Sequence, residues 1–160
     1  MDLRTEIIGI LETARQKIVG NIDGQNIKAS GRTQNALKVE DRGENIVLLD
    51  DGSGAPFETL QYGREGGKIP AGFRNILKEW LIVKNVAVEP IPYKTAKGGK
   101  YTPQERGLMK AAGAIAHKIA TKGTNRYSQP NENVYSEAIN EAIDKIQKAI
   151  TTNVISEIRR

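Results

Sequence analysis

Few residues in this chain are equipped to do chemistry. The one histidine, His117, lies in an alanine-rich stretch, three positions after Ala114 and four after Gly113. A lone imidazole supplies neither a shared metal site nor a proton relay, so His117 reads as a structural or surface residue. Gly63-Arg64-Glu65-Gly66-Gly67-Lys68 has the glycines and lysine of a phosphate loop. No hydroxyl residue follows Lys68, however, and no apolar strand leads in. Asp50-Asp51-Gly52 lacks the alternating acids and closing glutamate of a calcium loop, which leaves turn chemistry. The serines at 30, 53, 128, 136 and 156 fall in no G-x-S-x-G elbow. The carboxylates are scattered, with no pair in an apolar setting that would split their pKa values. The expectation is a protein that is not an enzyme and holds no cofactor or metal.

Composition narrows the class further. The 160 residues are 38% hydrophobic and 5% aromatic, enough for a modest core. Without cysteine there is neither a disulfide framework nor a thiolate metal site. No apolar run approaches the roughly 20 residues of a membrane span. The opening M-D-L-R-T-E-I-I-G-I alternates charge with apolar residues, so a soluble chain not exported by a signal peptide is expected. The formal charge of +5 is uneven: Lys94 to Arg126 holds eight basic residues and one acid, Glu105. Such a field attracts nucleic acid or an acidic protein surface, or is simply a solvated face.

The elements that must carry these residues follow from periodicity. Leu3, Ile7, Leu11, Ala14 and Ile18 predict an amphipathic helix over 2–20, with Asp2 as cap and Gly20 to Gly24 as its end. Ser30 and Thr33 cap a short helical turn that carries Ala36 and Leu37 inward. Two β-prone runs, 36–40 and 45–49, flank a D-R-G-E turn, and Ile46 to Leu49 reads as a strand buried on both faces. The stretch 55–85 holds both phenylalanines and the only tryptophan. Its first half reads as a glycine-permitted turn presenting Arg64 and Glu65. Its second half is a helix, because Phe73, Leu77, Trp80 and Leu81 share one face. Val86 to Val88 suggests a short strand, followed by a long basic loop over 89–103. Thr102-Pro103-Gln104-Glu105 starts a long helix that ends at Gly123, its small residues allowing another element to approach closely. A further helix is expected over about 133–158, less regular at Thr151-Thr152-Asn153. The map is α+β: a single domain with a small, mostly antiparallel sheet packed against three to four helices.

The order of segments carries more than any single residue. Ala29-Ser30-Gly31-Arg32-Thr33, Phe57-Glu58-Thr59-Leu60-Gln61-Tyr62-Gly63-Arg64, Pro70, Ile76 with Glu79-Trp80-Leu81 and Lys84-Asn85, Ala114 to Ile119 with Gly123-Thr124, and Val134-Tyr135-Ser136 occur in sequence. This arrangement resembles the neck, head-tail joining and tail-completion proteins of tailed bacteriophages, over roughly residues 1 to 150. The resemblance implies a non-catalytic virion protein, a ring-forming subunit of about six or twelve copies. It would mediate head-tail joining, meet portal, neck or tail proteins, and have possible nonspecific contact with packaged DNA. Interface residues expected on this basis are Arg32, Phe57, Glu58, Tyr62 and Arg64, with Lys94, Lys97 and Lys100 of the basic loop. Arg32, Arg64 and the loop are expected to meet Glu132, Glu137, Glu141 and Asp144 of a neighbouring copy. Related proteins often carry glycine where Asn85 stands and glutamate or histidine where Gln61 stands. The alternative expectation is a nonspecific nucleic-acid-binding module, with only Tyr93, Tyr101 and Tyr127 available for stacking in the basic segment.

Overall fold

A computed structural model describes residues 2–25, 31–50, 57–94, 99–128 and 133–159. The elements are α1 (Leu3–Gly24), α2 (Arg32–Ala36), β1 (Leu37–Asp41), β2 (Ile46–Asp50), α3 (Phe57–Tyr62), α4 (Phe73–Val83), α5 (Pro103–Lys122), α6 (Asn125–Ser128) and α7 (Ser136–Ile158). The fold is α+β, as expected from the pattern of periods. The chain falls into two compact units, one made of residues 1–61 and 131–160 and the other of residues 62–130.

The first unit is built on α1 and α7. Every third or fourth residue of α1 turns inward, and Ala14, Ile18 and Ile22 are buried. Ala138, Ala142 and Ala149 of α7 are the matching small residues, and they let the two helices approach closely. Lys17 bridges the pair, with Nζ 3.2 Å from Glu137 and 2.7 Å from Glu141. Helix α1 runs on to Gly24, past the expected stop at Gly20, because the inward stripe continues to the buried Ile22. Asp2 occupies the cap position with extended backbone but makes no side-chain cap bond. The hairpin pairs Leu37 with Asp50, Val39 with Leu48 and Asp41 with Ile46, antiparallel. Gly43, at φ +79, turns it. The expectation that Ile46 to Leu49 is buried on both faces is corrected: all four are half-buried. In a two-stranded ribbon each strand is an edge, and the described packing sets Leu48 against the core formed by Ile18, Ile22, Leu37, Val134 and Ala138.

The second unit is built on α4 and α5. Leu81 is buried against Leu108 and Ala112, with Leu77, Val88 and Ile115 around them. Burying a leucine of this kind contributes about 2 kcal/mol. The small residues of α5 do what their type suggests, since Gly113 lies against the guanidinium of Arg74. Thr102 and Glu105 form a reciprocal capping box at the start of α5, with Pro103 in the first turn. Val86 to Val88 form no strand. Val86 N–H instead donates to Leu81 O (2.9 Å) and Asn85 N–H to Ile82 O (3.0 Å), which closes α4. Asn85 stands at φ +51, the left-handed position of a helix C-terminal motif. Glycine is the default residue for that conformation. Beyond it, the Glu89 carbonyl lies against Gly107, where a Cβ would collide with it. Thr151 to Asn153 remain helical within α7.

Candidate interface

The glycine-rich segment that follows α3 is seated on the C-terminal end of α5 and exposes Glu65, Gly67 and Lys68, while Arg64 is half-buried. Gly123 ends that helix at φ +74, its N–H donating to Ile119 O (2.9 Å). Thr124 N–H then donates to Arg64 O (2.8 Å), and Arg64 N–H donates to Thr124 Oγ1 (2.8 Å). Gly67 N–H donates to Ala120 O (2.7 Å). A Cβ on Gly63 would lie 2.6 Å from Thr124 Oγ1 and collide with the Tyr127 backbone nitrogen, and one on Gly123 would collide with Arg64 O. Glycine is needed at both positions for two reasons, the positive φ and the contact.

Arg64 is half-buried. Its guanidinium donates to Lys68 O and sits 5.8 Å from the centre of the Phe73 ring. Tyr62 is 49% exposed and Glu58 is exposed. Arg32 opens α2 and Phe57 opens α3, and their side chains lie outside the described residues. Of the loop lysines, Lys94 and Lys100 are exposed, Lys100 with its ammonium 5.6 Å from the Tyr101 ring centre, and Lys97 lies outside the described residues. Glu132 lies outside them as well.

The basic loop is held at its base rather than left unattached. Ile91 N–H donates to Pro103 O (2.9 Å), and Arg106 Nη1 donates to Ile91 O (3.0 Å) and Pro92 O (2.7 Å). The same guanidinium lies 4.1 Å from the centre of the Tyr93 ring, a stacking distance. The Tyr93 hydroxyl accepts from Tyr101 N–H (3.3 Å). Arg106, which the sequence marks only as part of a charge run, and Tyr93, which it marks only as an aromatic available for stacking, therefore hold the ends of the loop from which Lys94 and Lys100 emerge.

Gln61 is the residue that sequence reasoning missed. It is buried, and its Oε1 accepts from Tyr135 N–H (2.9 Å) and Ser136 N–H (3.1 Å) while its Nε2 donates to the Ser136 hydroxyl. These are orphan donors at the start of α7, and an acceptor there is what a helix N-terminus calls for. A glutamate at this position would satisfy the same donors. No local signal reveals the role, because the partners lie 74 and 75 residues away.

Two helices also present apolar side chains outward. Among the described residues these are Ile76, Trp80, Ile82 and Val83 of α4 in the second unit, and Ile143, Ile150, Val154, Ile155 and Ile158 of α7 in the first. His117 is exposed on α5. Among the described residues no group of three or more histidine, cysteine, aspartate or glutamate side chains is placed to hold a metal. A shallow groove of about 490 Å³ beside α1 and α7 is lined by Glu6, Ile10, Lys145, Lys148 and Thr152, among others. No helix among the described residues is long and apolar enough to cross a membrane. The hydrogen bond from Arg4 and then that from the Gly43 N–H hold Asp41 down to about 2. Compared with known proteins, the chain matches no family model, no curated protein and no solved structure.

Proposed function

We propose that this chain is a structural protein of a tailed-bacteriophage virion, a ring-forming subunit of the neck, head-to-tail connector or tail-completion region, without catalysis of its own. The reading is supported by the ordered segments that resemble such proteins. The observation that carries it is what those segments do in the fold. Gly63 and Gly123 lock two backbones together, Asn85 takes the left-handed position that closes α4, and Gln61 caps α7. In this chain these residues are architectural, including Asn85 and Gln61, where it departs from the proteins it resembles. Glu58, Tyr62, Lys94 and Lys100 are exposed, and the half-buried Arg64 has its guanidinium on Lys68 O and the Phe73 ring. The decisive experiment is purification of particles from a lysogen or phage that encodes the chain. The protein is expected in virions at a stoichiometry fitting a ring, with gene deletion leaving heads and tails unjoined; its absence from particles refutes the proposal.

A second reading, nonspecific binding of nucleic acid, is favoured by one observation. The unit of residues 62–130 carries thirteen basic against four acidic side chains, a formal +9. Binding of this kind would weaken steeply with salt and ignore sequence. Duplex titration at two salt concentrations tests it, and salt-insensitive or absent binding rules it out.

A further inference from the structure

The charge of this chain is partitioned between its units. The unit of residues 62–130 has a formal +9, and the unit of residues 1–61 and 131–160 has eleven basic against fifteen acidic side chains, a formal −4. Together these make the +5 of the whole. Each unit also leaves one apolar helix stripe uncovered. Ile76, Trp80 and Val83 of α4, at i, i+4 and i+7, are 38 to 51% exposed. Ile143, Ile150 and Val154 of α7, at i, i+7 and i+11, are 42 to 47% exposed. At about 1.5 Å per residue the stripes run about 10 and 16 Å along their helices, so the α7 stripe is long enough to take the whole of the α4 stripe.

We infer that the α4 stripe of one copy docks on the α7 stripe of the next copy, joining the basic unit of one chain to the acidic unit of its neighbour, head to tail. The occupant is a second copy because every other copy carries a unit of opposite net charge with an exposed apolar stripe on it. A unit at +9 repels its own kind and attracts one at −4, so pairing of like faces is opposed while pairing of unlike faces is steered. A heterologous contact of this kind leaves one free face at each end and therefore propagates, closing only if the geometry makes a ring. The inference rests on the ring reading above for its biological setting, but not for its chemistry.

The test uses the full chain in sedimentation velocity and mass photometry at about 50 and about 500 mM salt, where charge attraction is strongly and weakly felt. Wild type is expected to form concentration-dependent higher species whose apparent association constant falls at least about tenfold at the higher salt. Ile76→Glu, which damages only the α4 face, and Ile150→Glu, which damages only the α7 face, should each remain monomeric alone. Mixed, they should form a one-to-one dimer that grows no further, since each supplies the face the other lacks. Should either variant unfold by circular dichroism, Val83→Glu or Val154→Glu replaces it. The pairing is overturned if wild type is monomeric at low salt, including the case where it instead binds duplex DNA. It is also overturned if either variant assembles like wild type or if the mixture stays monomeric. Rings that form normally in both variants sink this pairing and leave the virion reading standing, whereas absence from purified particles sinks that reading whatever the variants do.

Discussion

Replacing Gly63 by alanine tests whether the glycine segment is a structural clasp. Two costs fall on the new methyl. The φ of +74 lies in the left-handed region, which costs an L-residue about 1–2 kcal/mol. The Cβ would also stand 2.6 Å from Thr124 Oγ1 and collide with the Tyr127 backbone nitrogen. Backbone cannot swing aside as a flexible side chain does, so relief requires withdrawing the 62–67 segment from the end of α5. That movement strains or breaks the Thr124–Arg64 backbone bond and the Arg64–Thr124 hydroxyl bond, both 2.8 Å. Each contributes about 0.5–1.5 kcal/mol net. Alanine recovers up to about 1 kcal/mol by restricting the unfolded chain. The expected loss is therefore about 1–5 kcal/mol. Gly72→Ala is the matched control in the same unit: its φ is +78 and nothing lies within 4 Å of its Cβ position, so only the backbone cost applies. Urea unfolding followed by the fluorescence of Trp80, the only tryptophan and a residue of this unit, reads both variants against wild type. If Gly63→Ala is no less stable than Gly72→Ala, the close seating of the segment on α5 is wrong.

Three further outcomes follow from the same contacts. Gln61→Ala strips the acceptor from two backbone donors at the start of α7 and should cost about 1–3 kcal/mol in denaturant melts, with faster amide exchange at Tyr135 and Ser136; unchanged exchange there would remove the cap from the account. Asn85→Ala should destabilise by about 1 kcal/mol while Asn85→Gly is neutral or slightly stabilising, and equal melting of the two would mean the left-handed closure of α4 is not needed. Asp41, lowered to about 2 chiefly by its hydrogen bond from Arg4 and then by the Gly43 N–H, contributes stability that is present above its ordinary value near 3.8 and is lost as pH falls through the folded value; Asp41→Asn should flatten the acid limb of the stability curve between about pH 4 and pH 2, and an unaltered limb would show that the pair is broken in solution.

The parts of the fold legible in the sequence are those whose causes are local. Thr102-Pro103-Gln104-Glu105 starts α5 because cap and capped donor are three residues apart, and the structure closes that box as written. The inward stripes of α1 and α7 and the turn between β1 and β2 are likewise set within a few residues. What could not be read is where each segment docks. Arg64 reads as an exposed contact, since a basic residue between glycines carries no mark of its destination. Its backbone partner stands 60 residues on, and its guanidinium turns to Lys68 and Phe73. Helix α3 was hidden for a related reason: a short helix has little intrinsic stability, and here Leu60 and Gln61 are held by α7 residues far along the chain.

Charge shows the same division between composition and placement. Summed along the sequence, the basic excess sits in the third of the chain from Lys94 to Arg126. Summed over the unit of residues 62–130 it rises from +7 to +9, because Arg64, Lys68, Arg74, Lys78 and Lys84 join it against Glu65, Glu79 and Glu89, while fifteen of the nineteen acids lie in the unit formed by the two ends of the chain. A segment rich in lysine invites comparison with nucleic-acid binders, which act as single chains toward a foreign polyanion. A chain with opposite net charge on two compact units meets an oppositely charged unit in every other copy of itself. The range of the field decides between them experimentally: two units at +9 and −4 attract only within about a Debye length once salt is present, roughly 10 Å at 0.1 M, so copies held this way must also be in apolar contact. Ile76 and Ile150 are exposed where that contact would be made, and their substitution leaves the charge pattern nearly intact. A polyanion-binding chain would tolerate both changes, and a self-assembling one would tolerate neither.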